Sequence, residues 1–301
     1  MGEAYRERQT IIKGEMVKAL AKDSKYKHGQ CPVLPVFIAM AVDVQIDVKK
    51  WSKVAFLATG EAFIIDYGEC LTFDDLYDIA SQNIDILDWG DIAEEDRDLI
   101  MPDYMWIDEG DGDNSMKDVR DFCVKPRSRE HPQHGGHWIF PCKGAGGIQM
   151  KGVVDERDRE VDGYAFKAYH LSHHEFATEL YLQRIAKNDD IVTATEIMRK
   201  HPTKRIPLPA PRLHLMKGAD DEYINELCAE KRQLKKVRGR LRWVWVDPTE
   251  PNDYGDTVKY CLAMWHFMRA DYGWEADEPT HVSDDDHKPK QRTRDYILHP
   301  R

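Results

Sequence analysis

The sequence has no apolar stretch near the roughly 18 to 20 residues that cross a bilayer, no cysteine pair at CxxC spacing and no GxxxxGK[ST] loop. The first absence argues against membrane insertion, and the third removes the phosphate cradle of a P-loop ATPase. The six cysteines (Cys31, Cys70, Cys123, Cys142, Cys228 and Cys261) are scattered, and no charged segment followed by an apolar one opens the chain. That pattern points to a reduced, cytoplasmic protein. Positive charge is also in deficit, with 43 Lys and Arg against 54 Asp and Glu and a net charge of −11, which argues against a protein that coats nucleic acid. No internal repeat is visible.

What remains is a globular chain of 301 residues with 42% apolar content, enough for one large domain or two small ones. Charge is segregated along it. Lys231, Arg232, Lys235, Lys236, Arg238, Arg240 and Arg242 form a basic run, whereas acids crowd residues 85 to 113 and 271 to 286. The run fits either a face that meets DNA or a solvated charged loop. Residues 1–34 are largely polar, basic and helix-prone, without core periodicity, and are expected to be a linker or arm. Residues 35–270 are expected to form the folded domain, and 271–301 an irregular charged tail.

Within the domain, apolar runs at 36 to 46, 53 to 59 and 61 to 67 predict a three-stranded antiparallel meander, the last two joined at Thr59-Gly60-Glu61. Thr72-Phe-Asp-Asp predicts a capped helix to about Gln82, and 83 to 100 an exposed acidic insertion leading into a short helix. A strand at 103 to 108, a helix at 114 to 125 and a strand at 137 to 142 read as a β-α-β unit. Later elements are hairpin-like alternation at 161 to 171 and a helix from Ser172 to about Lys187. A Pro-rich loop at 202 to 211, a helix from Asp220 to about Lys231, a strand from Arg240 to Val246 and a helix from Asn252 to about Ala270 complete the reading.

Asp43 lies inside the first apolar run and Asp108 closes the strand Tyr104-Met-Trp-Ile-Asp108, while Asp256 opens the last helix. A buried strand disfavours an ionised carboxylate unless it is paired, hydrogen-bonded or bound to a cation. Asp43 alone also fits a turn cap or a pair with Lys49. Together, an acid on the first strand, one at the end of the fourth and one on a late helix match the ribonuclease H-like layout, an α/β fold with a mixed sheet flanked by helices. There the first and fourth strands are neighbours, and alternation turns Asp43, Gln45 and Asp47 to one side. Carboxylates suit two Mg²⁺ or Mn²⁺ ions clamping the attacking and leaving oxygens of a phosphodiester, with Asp43 bridging, Asp108 on one ion and Asp256 on the other. Asp47, Glu109, Asp111, Asp113 and Asp253 are reserve candidates.

Ala41-Val-Asp-Val-Gln45, Trp51, Ile64-Ile-Asp-Tyr-Gly-Glu69, Trp106-Ile-Asp108 with Val119-Arg-Asp-Phe-Cys123, Phe140-Pro-Cys-Lys-Gly144, and Asp221-Glu-Tyr223 ahead of Glu230-Lys231 occur in an informative order. In these motifs the chain resembles the nuclease half of tailed-bacteriophage terminase large subunits of the lambda, or GpA, type, over roughly residues 3 to 270. The resemblance implies a metal-dependent endonuclease that cuts concatemeric double-stranded DNA during packaging, in the cytoplasm of the infected bacterial host. It also implies as partners an ATPase motor domain, a small terminase subunit and a portal or procapsid. The ATPase half is absent from this sequence, so the resemblance implies an excised domain or a split gene.

His170-Leu-Ser-His-His-Glu175 departs from the family pattern of an Asp-Thr and a Lys, which makes His173 or His174 a candidate phosphate contact or proton shuttle, against ordinary residues of a helix start. Lys143 with Gly144, Gly146 and Gly147 is a candidate DNA-phosphate contact, joined by Lys235, Lys236, Arg238 and Arg240. His131, His134 and His137 with Cys142 lack the spacing of a known zinc finger, and a loop is the better reading. Two other functions stay open: an exonuclease or junction resolvase on the same fold, disfavoured by Gln45 where an Asp-x-Glu motif needs an acid, and a non-catalytic DNA-binding or capsid-docking module.

Overall fold

Strands buried on both faces read as near-continuous apolar runs, and the longest such run in this chain becomes the centre of its sheet. The structure, a computed structural model, describes residues 9–110, 113–145, 150, 152–201, 211–237, 239–246 and 250–271. In chain order, β1 (Gln9–Ile11), α1 (Gly14–Ala19) and β2 (Gln30–Cys31) precede β3 (Phe37–Val44), β4 (Lys49–Phe56) and β5 (Ala62–Cys70). Next come α2 (Phe73–Ala80), β6 (Asp85–Ile86), β7 (Tyr104–Asp108), α3 (Asp113–Cys123) and β8 (Ile139–Ala145). The hairpin β9 (Val154–Val161) and β10 (Tyr164–Ser172) leads into α4 (His173–Ala177), a π-helical stretch Thr178–Ile185 and α5 (Asn188–Lys200). The described chain ends with β11 (Leu213–Leu215), α6 (Asp221–Leu227), β12 (Lys231–Val237), β13 (Arg240–Val246) and α7 (Asp253–Asp271).

Among the described residues, eight strands form one mixed sheet in the order β11-β5-β4-β3-β7-β8-β10-β9. The meander β3-β4-β5 is antiparallel, whereas β3, β7, β8 and β10 run parallel to one another. Alternate residues serve opposite faces. Met40, Val42, Met105 and Ile107 pack with Leu76, Val119 and Phe122 beneath α2 and α3. Ala39, Ala41 and Trp106 face the other way, into the core shared with Val258, Cys261 and Trp265 of α7. The small side chains at 39 and 41 let α7 lie close to the sheet, where the Cys261 thiol reaches the Ala39 carbonyl. α2 begins with a reciprocal cap: the Thr72 hydroxyl accepts from the Asp75 amide and the Asp75 carboxylate accepts from the Thr72 amide.

Several boundaries differ from the sequence reading. β4 begins at Lys49 rather than at 53, because three lysines interrupt the apolar pattern although Lys49, Lys50 and Lys53 are all buried. Residues 231–237, where the sequence places a helix end and a basic run fitting either a DNA-facing surface or a solvated charged loop, form β12, which pairs antiparallel with β13 and with β1. The helix from Ser172 breaks into α4 and a π-helical stretch, and α5 and β11 went unread. Residues 9–34, expected to be an arm, contribute Ile12, Val17, Leu20, Tyr26 and Cys31 to the main core, spaced too irregularly to show a helical period. Most of the Pro-rich loop, residues 1–8 and the tail after Asp271 lie outside the described residues. No helix among the described residues is long and apolar enough to cross a membrane.

Candidate active site

The parallel register pairs Val42 with Ile107, so the next residues, Asp43 and Asp108, stand side by side where β3 and β7 end. Both lie on the face covered by α7. The first turn of that helix is fastened to β4 by a 2.7 Å hydrogen bond between the Ser52 and Thr257 hydroxyls, deep in the core. A glycine at 255 lets the π-helical stretch lie against the same turn, since a Cβ there would meet the buried Tyr181 hydroxyl. The same turn carries Asp253 and Asp256, one helical turn apart. Asp43, Asp108, Asp253 and Asp256 therefore converge at one end of the sheet.

Electrostatics record the convergence. Burial pushes the Asp43 carboxyl well above its ordinary range, and the charges of Asp108, Asp256 and Asp253 push it further. Its hydrogen-bond donor is Gln45, whose amide gives to Asp43 and to Asp253, both at 3.1 Å. Asp108 is raised to about 6, chiefly by burial and by Asp256, against the opposing pull of the Gly110 amide, the Tyr260 hydroxyl and Lys143. Asp43, buried, and Asp108, partly buried, stand adjacent with no cation bonded to either among the described residues, a donor set that a hard divalent ion satisfies. Asp43 and Asp108 fit such an ion.

Asp256 has a different environment. Lys259, fully buried one turn along α7, ion-pairs with both Asp256 and Glu230 and lies 3.3 Å from His173 Nδ1. His173 Nε2 is 3.2 Å from the second Glu230 oxygen, and the Asn252 amide donates to Asp256 at 3.1 Å and to Glu230 at 3.3 Å. Burial alone would raise the Glu230 carboxyl, but the Lys259 charge and His173 hold it down at about 2. Ligand atoms of His173, Glu230 and Asp256 lie within 4.8 Å of one another, close enough to hold a metal ion. Sequence reasoning places Glu230 in a motif without giving it a role and does not find Lys259, whose available signal is a lysine within the apolar stretch 258–264 of α7, three residues after an acid.

Other candidates separate from the cluster. Asp47 is exposed in the β3–β4 turn, which begins with the Gln45 amide bonding the Val48 carbonyl, so the strand alternation expected to align it stops short. His174 is exposed, while its neighbour His173 turns inward. Glu109 is buried but gives both oxygens to Arg120, at 2.7 and 3.1 Å, and so serves the fold. Lys49 reaches the Leu71 carbonyl, leaving no pair with Asp43. Lys143 stands beside the acids, bonding the Gly110 carbonyl at 3.0 Å. Lys235, Lys236 and Arg240 are exposed on the β12–β13 hairpin, which starts one residue after Glu230. Arg238, Asp111, Gly146, Gly147 and the Asp113 side chain lie outside the described residues. In the histidine loop, both His131 nitrogens are engaged by backbone, at Pro102 and Gln133, and His137 bonds the Cys123 carbonyl.

The Glu109 assignment makes a prediction. Replacing Arg120 with methionine leaves a buried carboxylate uncompensated and is expected to cost about 3 kcal/mol in urea denaturation. Glu109→Gln is expected to leave Mn²⁺ binding unchanged, and a lost ion would return Glu109 to the metal site.

A family model described as the endonuclease domain of the terminase large subunit gpA matches residues 1–277. The chain belongs to that family, and a nuclease role in DNA packaging follows. No curated protein and no solved structure matches it.

Proposed function

We propose that the chain is a metal-dependent endodeoxyribonuclease of ribonuclease H-like architecture, which cuts concatemeric double-stranded viral DNA for packaging by phosphodiester hydrolysis. The observation that carries the reading is the side-by-side pair Asp43, buried, and Asp108, partly buried, at the ends of adjacent parallel strands, with the Asp108 charge raising the Asp43 carboxyl. The reaction adds water to phosphorus as one P–O ester bond breaks, the departing oxygen taking up a proton. A two-cation scheme places positive charge beside both the entering and the departing oxygen. Asp43 and Asp108 would hold a divalent ion on one side, Mg²⁺ or Mn²⁺, which would supply charge to the phosphate oxygens. Asp256 marks the second cationic place. Gln45 orients Asp43 through its shared amide, and Tyr260 orients Asp108.

Lys143 contacts phosphate near the acids, and the hairpin residues Lys235, Lys236 and Arg240 extend the basic track outward. A local track of this kind answers the net charge of −11, since DNA needs only one positive face. Lys235→Glu with Lys236→Glu is expected to weaken duplex binding and flatten its salt dependence by about 2 in log-log slope, read by fluorescence anisotropy. In this reading the motor ATPase, a small terminase subunit and the portal are partners, and the enzyme works in the cytoplasm of the infected host. Residues 35–270 form the nuclease unit, onto which residues 9–34 pack.

Supercoiled plasmid tests the reading. Nicking followed by linearisation in Mn²⁺, stopped by chelator, is the expected result. Degradation confined to free ends would instead make the chain an exonuclease, and duplex binding with no cleavage in any divalent ion would make it a docking module.

A further inference from the structure

The positive charges near these acids are unevenly distributed. Asp253 is served by Gln45 and by Lys50, 3.8 Å away. Asp256 and Glu230 share the Lys259 ammonium, which is fully buried and directs its protons at Asp256 Oδ1, Glu230 Oε1 and His173 Nδ1. An ammonium only donates, so His173 Nδ1 accepts and the ring proton sits on Nε2, where it is given to Glu230. The three side chains that could form a metal cage thus already enclose a cation, and the imidazole nitrogen facing Glu230 carries a proton instead of a free lone pair. No cation is hydrogen-bonded to Asp43 or Asp108 among their described contacts: Gln45, Tyr260 and the Gly110 amide, all neutral donors, reach them, and Lys143, bonded to the Gly110 carbonyl, acts on Asp108 through its charge.

The geometry points to a nuclease site that takes one divalent cation, at Asp43 and Asp108, with the Lys259 ammonium held by Asp256 and Glu230 as the resident second positive charge. This rests on the metal-nuclease reading above and specifies its cation complement. A buried lysine is costly unless its charge is paired, and here the one ammonium is shared by buried Glu230 and half-buried Asp256. Lys259 is a positioning residue: it fixes Asp256 and Glu230, and its charge occupies the place where a second ion would otherwise bind. The histidine nitrogen in that cage makes its latent preference one for Mn²⁺ over Mg²⁺, because imidazole suits transition ions better than magnesium.

Counting bound Mn²⁺ by electron paramagnetic resonance on the whole chain tests this. The expected counts are one ion in the wild type, none in Asp43→Asn, one in Lys259→Arg and two in Lys259→Met, where the emptied cage gains a metal. Mn²⁺ should also raise the melting temperature of Lys259→Met more than Mg²⁺ does. If Lys259→Met does not fold, Glu230→Gln decides: one ion retained supports the proposal, and a lost ion overturns it by making Glu230 a ligand. Anomalous scattering from crystals holding Mn²⁺ and a short duplex should show one peak, beside Asp43 and Asp108. Two ions in the wild type, or a second peak displacing Lys259, overturn the resident lysine while leaving the metal nuclease intact. No ion in the wild type, together with cleavage indifferent to chelator, overturns both.

Discussion

Asp43→Asn is expected to abolish plasmid cleavage while making the metal-free protein more stable at neutral pH. The two effects share a cause. Asp43 and Asp108 are held with their pKa values above the unfolded-chain range by burial and by neighbouring carboxylates, Asp108 chief among them for Asp43 and Asp256 for Asp108, so ionising them opposes folding. A carboxyl raised in the folded state contributes stability that is fully present below its unfolded pKa and is lost as pH rises through its folded pKa. For Asp108 that window runs from about 4 to about 6. A shift of this size corresponds to about 3 kcal/mol lost by pH 7 in the absence of metal. Denaturation in chelator at pH 5 and pH 7.5 should show the wild type weakening with rising pH and Asp43→Asn weakening less. A divalent ion should restore the wild type by mass action and leave the variant unchanged. An asparagine variant less stable than wild type at pH 7.5 in chelator would mean that the carboxylate is already paired, and the cation site would lose its basis.

Lys50→Met is expected to have the largest effect on folding outside the metal site. Lys50 is 7% exposed and ion-pairs with Glu226, itself 5% exposed, and with Glu69 at 3.4 Å, Glu222 at 3.3 Å and Asp253 at 3.8 Å. Its removal strands Glu226 and is expected to cost about 3 to 5 kcal/mol. Glu226→Gln added to Lys50→Met should recover part of that loss. The consequence for the site follows from the chain Lys50 to Asp253 to Gln45 to Asp43, by which the meander orients the proposed metal ligand Asp43. Losing an outer partner of a ligand typically lowers metal affinity or activity by about 10- to 100-fold. Cleavage by the folded fraction of Lys50→Met should fall within that range, and unchanged cleavage would show that Gln45 holds Asp43 without help from Asp253.

Asp43 and Asp108 were legible because each breaks an apolar run, and a charge in a buried strand is conspicuous in one dimension. Their adjacency could also be anticipated once the meander was read as a unit, and the parallel register of β3 and β7 bears it out. The basic run had a definite composition but an ambiguous form, since charge alone does not separate a loop from the exposed hairpin of β12 and β13. Lys49, Lys50 and Lys53 misled by the same logic, their charges hiding the start of a buried strand. Glu230 and Lys259 were hardest to see, because an acid before a basic run and a lysine within a helix are ordinary features when taken separately.

By itself the sequence determined the meander, the Thr72 cap, the β-α-β unit that follows, the last helix, the family and the two strand acids, consequences of local period and of charges set against apolar neighbours. Only the tertiary structure decided which charges neutralise one another: Glu109 with Arg120, Lys50 with Glu226, and Lys259 with Asp256 and Glu230. Pairing depends on through-space distance and shared burial, and the partners Lys50 and Glu226 stand 176 positions apart along the chain. That separation is why the acids paired with a buried lysine or arginine could be told from the other acids only after the chain had folded.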